Sequence, residues 1–143
     1  MSKGDVFEND LLKLIFQAVA IADIAENDTT GPLTNLYCSL HTADPGEAGN
    51  QTTNETAYTG YARVAVARSA GGWTVTGSSV SPAANVDFGA CTALPGTPIT
   101  HAAVGTAASG TGKLLHSGAL TPNITMAVGV APRLTTASTI TED

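Results

Sequence analysis

Hydrophobic residues recur at helical spacing near the N-terminus. From about Asp5 to Val19 they form one broad apolar stripe, which is typical of an amphipathic helix. The stripe consists of Leu11, Ile15 and Ala18, with Leu12, Phe16 and Val19 beside them. Asp5 can cap the first turn, and Glu8 supports it in the manner of a capping box. The pattern predicts one helix here; residues 19–22 either continue it or begin a strand, and residues 27–32 form a loop.

After Pro32 the sequence changes to short runs rich in Thr, Val and Ala, each ended by Gly, Pro or Asn. Alternating apolar and polar residues predict a strand over residues 36–41. Pro45 and Gly46 then supply the two central residues of a type II turn. Further strands are predicted at residues 62–67, 73–76, 86–88, 99–104, 113–119, 124–128 and 138–141.

About eight short strands separated by turn residues predict a mainly β protein. The best match to this strand count is an antiparallel β-sandwich of the jelly-roll kind. The N-terminal helix either packs beside the sandwich or reaches away from it. We expect a single structural domain, in which residues 1–30 are helix and loop and residues 31–143 are the sandwich.

Charged residues are scarce in this chain, and acidic ones outnumber basic ones. They make up 13% of the 143 residues, and the formal net charge is -6. The Lys and Arg residues are scattered, so we expect no nucleic-acid partner. Asp23, Glu26 and Asp28 interrupt the most apolar stretch, so we expect no membrane partner. The first residues lack the pattern of a secretory signal, which favours the cytoplasm.

The predicted sheets carry little charge. Between Thr56 and Ile140 the charged residues are Arg63, Arg68, Asp87, Lys113 and Arg133. Isolated sheets usually protect their edges and surfaces with charge. The pattern therefore favours either packing against neighbouring proteins or a surface solvated by Thr and Ser side chains.

Two groups of apolar residues are candidates for a protein interface. They are Phe7, Leu11, Ile15 and Phe16 on the helix, and Tyr58 and Tyr61 after a polar loop. Tyrosine is enriched in interfaces because it combines a large apolar area with a hydroxyl. Each group has an alternative role within the chain. The helix stripe either packs on its own sandwich or docks onto another subunit, and the tyrosines either join an interface or close one end of the sandwich.

The sequence contains no recognisable catalytic motif. Residues 105–110 begin like a phosphate-binding loop, but Thr111 stands where the lysine is needed, so we expect a Gly-rich hairpin. No Gly-x-Ser-x-Gly elbow occurs, and Ser, His and acidic residues have no useful local spacing. We therefore expect no enzyme activity and no cofactor.

The histidines and cysteines are the remaining candidates for chemistry. If the strands that hold His101 and His116 paired, these imidazoles and Asp44 could bind zinc. The spacing matches no known metal motif, however, and we expect no metal site. Cys38 and Cys91 lack CxxC spacing and lie in apolar surroundings, so we expect small buried hydrophobes.

Several segments resemble a family of small structural proteins of tailed bacteriophages. They are LYCSLHTADPGE (36–47), TGYARVAV (59–66), Trp73, Val86-Asp87-Phe88, Thr100-His101 and GKLLHSGAL (112–120). The resemblance spans nearly the whole chain. Such proteins are often labelled tail fibre proteins, and small jelly-roll proteins of this kind are also known as head decoration or cement proteins.

The resemblance implies a non-catalytic role on the outside of the virion, after assembly in the cytoplasm of the bacterial host. In this role the protein binds the major capsid protein on the head exterior and stabilises the shell by bridging neighbouring capsomers. It also implies self-association as a dimer or trimer. The alternative is a tail-associated fibre or adaptor protein that binds a receptor or glycan. The family supplies no catalytic residues.

Overall fold

The computed structural model describes residues 5–21, 33–93 and 97–142. The helices and strands of this part are α1 (Asp5–Gln17), β1 (Asn35–His41), β2 (Val64–Ala67), β3 (Trp73–Thr76), β4 (Ser79–Pro82), β5 (Val86–Asp87), β6 (Ile99–Gly105), β7 (Leu114–Ile124), β8 (Arg133–Leu134) and β9 (Ile140–Thr141). No described helix has both the length and the apolar character that a membrane crossing requires.

The predicted helix is present and ends at Gln17, two residues before the predicted limit. It ends there because Ala18 adopts a positive φ of 59°, which a right-handed helix cannot continue. The N–H of Val19 turns back to the carbonyl of Lys13, at 3.2 Å. The side chain of Asp5 lies outside the described part, so the predicted capping by Asp5 stays a prediction.

The strands form three sheets. Their orders are β2-β1-β6-β7, β3-β4-β9 and β5-β8. β1 pairs with β6, β6 with β7, β3 with β4, and β4 with β9, in each case antiparallel. The fold class predicted from the sequence is therefore confirmed: the protein is mainly β, with antiparallel sheets and one N-terminal helix. The face-to-face layers of a jelly roll stay a prediction.

Strand β1 lies inside the four-stranded sheet. Its first residues alternate between half-buried and buried, and residues 38–41 are buried without interruption. Uninterrupted burial means that both faces of the strand are covered there. Gly46, after this strand, has a φ of +69°, the positive value that the predicted type II turn requires of its third residue.

The C-terminal strands differ from their prediction. β7 begins at Leu114 and continues to Ile124, so the separate strand predicted at 124–128 is wrong.

The sequence analysis did not predict β4, because Ser-Val-Ser-Pro is poor in strand-forming residues. β3 nevertheless pairs with β4 across the turn at Gly77 and Ser78. β8, which has two residues, was not predicted. Residues 105–113 form the expected Gly-rich connection, in which the N–H of Thr106 donates to the carbonyl of Lys113 at 3.1 Å.

The chain divides into two compact units. The first, here called the helical unit, consists of residues 1–35, 66–85 and 134–143, and it contains α1 with β3, β4 and β9. The second, here called the sheet unit, consists of residues 36–65 and 86–133, and it contains β6, β7 and most of β1. The domain boundary expected between residues 30 and 31 falls outside the described residues and stays a prediction.

Candidate functional site

The helical unit uses part of the apolar helix stripe for its own core. Phe16 is 0% exposed, and its ring meets that of Trp73 edge to face, with 4.7 Å between the ring centres. Leu12 is also fully buried, whereas Leu11 and Ile15 are half-buried. The side chain of Phe7 lies outside the described part. The role of these helix residues in an interface stays a prediction.

Arg68 neutralises the C-terminal end of the helix. The last turn of α1 contains no basic residue, although its unpaired carbonyl groups carry partial negative charge. The guanidinium of Arg68, just after β2, donates hydrogen bonds to the carbonyl groups of Leu14 and Ile15. Burial lowers the pKa of Arg68. Sequence analysis missed this contact because it joins residues more than fifty positions apart.

Both candidate tyrosines are anchored within the sheet unit. Tyr58 is 3% exposed, and its hydroxyl donates to the carbonyl of Gly89 at 2.8 Å. Burial raises its pKa to about 12. The half-buried Tyr61 lies 5.4 Å from Tyr58 and 6.3 Å from Phe88, measured between ring centres. These contacts all lie within the sheet unit. Whether the tyrosines close one end of a sandwich or join an interface stays a prediction.

Tyr61 also belongs to a polar network around Glu55 and Arg63. Its hydroxyl donates to Glu55 at 2.8 Å and accepts the N–H of Leu40 at 3.1 Å. The guanidinium of Arg63 donates a hydrogen bond to each carboxylate oxygen of Glu55, at 2.6 and 2.7 Å. The hydrogen bond to Glu55 raises the pKa of Arg63, whose side chain is 2% exposed. The two parallel charge-assisted hydrogen bonds fix the relative orientation of the two side chains.

Arg63 and Gln51 hold the loop between β6 and β7 in place. Arg63 donates to the carbonyl groups of Ala107 and Gly110, at 2.9 and 2.8 Å. The fully buried Gln51 accepts the N–H of Ala107 at 2.9 Å and donates to the carbonyl of Tyr37 at 3.3 Å. The network therefore fixes the beginning of β7. Sequence analysis missed it because neither Gln51 nor Glu55 belongs to a local motif.

His41 is a buried histidine with a defined tautomer. Its Nδ1 lies 2.9 Å from the carbonyl oxygen of Thr53, and its Nε2 lies 2.9 Å from the hydroxyl of Ser39. A carbonyl oxygen only accepts, so Nδ1 carries the proton and Nε2 accepts from Ser39. Burial lowers the pKa of His41, which keeps this imidazole neutral.

In the described part of the chain, the histidines form no metal centre with carboxylates. β6 and β7 pair as the zinc alternative required, but His101 is opposite Ala119, and His116 is opposite Val104. Within the described ranges, no group of three or more His, Cys, Asp and Glu residues could hold a metal ion. Cys38 and Cys91 are free thiols and are each 1% exposed, which confirms their prediction as small buried residues. Burial raises the pKa of Cys38 to about 12.

The most exposed element of the sheet unit is strand β7, which ends the four-stranded sheet. None of its 11 residues is fully buried. The sequence from 114 to 132 contains no charged side chain, so the strand lacks the charges that usually protect a sheet edge. Beside it is a cleft of about 630 Å³, lined by residues 114–119, His101, Gly46 and two carboxylates, Asp44 and Glu47. Exposed backbone groups, apolar side chains and two carboxylates suit the binding of a protein segment.

Comparison with known proteins identifies the family of the chain. Residues 2–141 match the protein family described as podophage GP4 fiber I protein gp80. No curated protein matches the chain. The match covers almost the whole sequence, as the resemblance noted from its segments did. The chain therefore belongs to the family of the podophage GP4 fiber I protein gp80 and is a bacteriophage virion structural protein.

Proposed function

We propose that the protein is a non-catalytic component of the outside of the virion and attaches to neighbouring virion proteins through its sheet surface. The observation that carries this proposal is strand β7, an exposed sheet edge without charge, in a chain that belongs to a virion protein family. Another chain can add a strand to a sheet edge through backbone hydrogen bonds. An assembly protein uses such an edge, whereas a free monomer usually protects it with charge.

Two groups that could act as a base, His41 and Glu55, are held within the sheet unit, which supports a role without catalysis. His41 is fully occupied by Ser39 and Thr53, at 2.9 Å each. Glu55 is held by Arg63 and Tyr61. A general base or nucleophile needs a free face toward a substrate, and these groups use their hydrogen-bonding capacity within the protein.

The tail is the first candidate for the point of attachment, because the family is described by a fibre protein. In this location the protein is a fibre component or an adaptor between fibre and tail. The head is the second candidate, favoured by the resemblance to small decoration proteins. There it binds the major capsid protein and bridges neighbouring capsomers. Modest single contacts sum to strong attachment in either location when several linked contacts form together.

Counting the polypeptide in separated heads and tails of the parent virion distinguishes the two locations. Purified virions are dissociated, the fractions are separated by density, and the protein is quantified by mass spectrometry against the major capsid protein. We expect a few copies for each tail. Abundant copies on heads, in fixed ratio to the capsid protein, would establish the decoration role instead. Absence from both fractions would overturn the proposal of a virion component.

A further inference from the structure

We propose that two loops of the sheet unit open and close together and thereby set the width of the cleft beside β7. The first, here called the acidic loop, comprises residues 42–55 and follows β1. The second, here called the glycine loop, comprises residues 106–113 and connects β6 to β7. The proposal concerns a movement within the sheet unit and holds wherever the protein attaches to the virion.

The glycine loop is attached to the rest of the sheet unit through two residues. Gln51 accepts the N–H of Ala107 on its side chain, and its own N–H donates to the carbonyl of Gly112 at 3.0 Å. Arg63 donates to the carbonyl groups of Ala107 and Gly110. The other hydrogen bonds that the structure describes for this loop join its own residues to each other. Gln51 and Arg63 therefore hold it in place.

The side chain of Gln51 occupies a space that two glycines leave free. A Cβ at Gly105 would lie 2.2 Å from Cδ of Gln51, and a Cβ at Gly112 would lie 2.0 Å from its Oε1. Gln51 is fully buried there. A buried amide without partners costs free energy, so Gln51 stays buried only while the glycine loop is closed. Opening of the glycine loop thus destabilises the acidic loop.

The reverse dependence also holds, because both attachments of the glycine loop depend on the acidic loop. Gln51 belongs to the acidic loop itself. Arg63 is oriented by Glu55, the last residue of the acidic loop, through hydrogen bonds to both carboxylate oxygens. When the acidic loop opens, the glycine loop loses Gln51, and Arg63 loses the group that orients it. Two loops that stabilise each other in this way form one cooperative unit of local opening.

The cleft lies between the acidic loop and β7. Asp44, Gly46 and Glu47 of the acidic loop line it together with residues 114–119, which directly follow the glycine loop. Closed loops fix the position of these three residues relative to the beginning of β7. Joint opening releases both, so the cleft has a closed and a widened state.

Native-state hydrogen exchange measured by NMR tests the cooperativity. The amide of Thr42 donates to the carbonyl of Asn54 at 2.8 Å and reports on the acidic loop. The amide of Ala107 reports on the glycine loop. Their protection factors should agree within about threefold and be lower than that of Ala103 in the interior strand β6. Unequal protection of Thr42 and Ala107, or protection of both equal to that of Ala103, would overturn the proposal.

A substitution in the acidic loop should also affect the glycine loop. Asn54→Gly removes the hydrogen bond from Asn54 to the carbonyl of Asp44, and glycine readily adopts the positive φ of 55° at this position. Protection of Thr42 and Ala107 should fall by the same factor, about tenfold. Asn85→Gly, at an exposed position of the helical unit, is the matched control and should change neither. Reduced protection of Thr42 with unchanged protection of Ala107 would show that the loops open independently.

Electron paramagnetic resonance tests the effect on the cleft. Nitroxide labels are attached to Glu47→Cys and Ser117→Cys, two exposed positions that line it, while the native cysteines are buried. Gly112→Ala displaces Gln51 and should broaden the distribution of distances between the labels toward larger values. Gly118→Ala, where a Cβ meets no atom within 4 Å, should leave the distribution unchanged. An unchanged distribution in a Gly112→Ala variant that tryptophan emission shows to be folded would separate the loops from the cleft and overturn the proposal.

Discussion

At the scale of single residues, three polar side chains in the described part of the sheet unit are fully buried: Ser39, His41 and Gln51. Each has hydrogen-bond partners in the unit. A buried polar group costs free energy unless it is paired, so these residues favour one arrangement of the surrounding backbone over its alternatives. The position of the β6–β7 loop, and with it the start of the exposed edge, depends on such pairs.

Replacement of Gln51 with leucine should lower the free energy of unfolding by about 1–3 kcal/mol, because the N–H of Ala107 and the carbonyl of Tyr37 lose their partner. Denaturant unfolding followed by Trp73 emission measures this difference, since Trp73 is the only tryptophan. Asn85→Leu, at an exposed position, is the control and should change stability by less than about 0.5 kcal/mol. Equal stability of the Gln51 and Asn85 variants would contradict the assigned role.

His41 should make the protein less stable in mild acid. Its pKa in the folded protein is lowered by burial, so the unfolded chain binds more protons at pH values below about 6.5. Stability that is present above this value is lost as the pH falls toward the native pKa, by up to about 1.4 kcal/mol per pH unit. Denaturant unfolding at pH 7 and at lower pH measures this loss. The free energy of unfolding should fall less with decreasing pH for His41→Asn than for the wild type. Titration of the His41 imidazole above 6.5 by NMR would contradict this.

Gly89 should tolerate no side chain. A Cβ atom at this position would lie 2.0 Å from the backbone carbonyl oxygen of Gly60. We therefore expect Gly89→Ala to lower the free energy of unfolding by about 1–3 kcal/mol or more. At Gly118, on the exposed strand, a Cβ would have no atom within 4 Å. Gly118→Ala is thus the matched control, and thermal unfolding should show it to be as stable as the wild type.

At the scale of elements, helix α1 depends on a residue far from it in sequence. Its own last turn has no basic residue, and Arg68 supplies the positive charge and the donors there. The helix stripe contributes Phe16 to a ring contact with Trp73. Packing and capping by distant residues are needed because a helix of 13 residues is only marginally stable alone.

Substitution of Arg68 with alanine should destabilise the helical unit by about 1–3 kcal/mol, because hydrogen bonds from a charged donor to the helix end are lost. Arg68→Lys should recover only part of the loss, since an ammonium cannot reproduce the guanidinium fork. Circular dichroism during denaturant unfolding measures both. Arg133→Ala, at an exposed ion pair with Asp87, should have little effect. An equal decrease in the free energy of unfolding for Arg68→Ala and Arg133→Ala would contradict capping by Arg68.

At the scale of the whole molecule, the net charge of -6 is the main barrier to uncontrolled association of a chain with so little surface charge.

Light scattering should increase as the pH approaches the isoelectric point of about 4.8, where the repulsion between copies vanishes. Scattering measured from pH 7.5 downward tests this prediction. Trp73 emission, recorded in parallel, separates association of folded protein from unfolding. Constant scattering through the isoelectric point would show that net charge does not control association.

Local patterns in the sequence determined the class of the fold. The apolar stripe of residues 5–19 predicted α1, and turn residues around short runs predicted β1, β3 and β6 with bounds close to those observed. These signals act between near neighbours, through helix periodicity, strand alternation and the φ values of Gly and Pro. The sequence also shows that the strands contain few charged residues, because this needs only the identity of each residue.

Only the tertiary structure decided which strand lies at the edge and what holds it there. The order β2-β1-β6-β7, the pairing of Glu55 with Arg63, the loop contacts of Gln51 and the cap from Arg68 all join residues without a shared local pattern. The physical reason is that the partner of a buried polar group or a strand edge is selected by packing in three dimensions. A sequence shows that such a group needs a partner, and the fold determines which one it has.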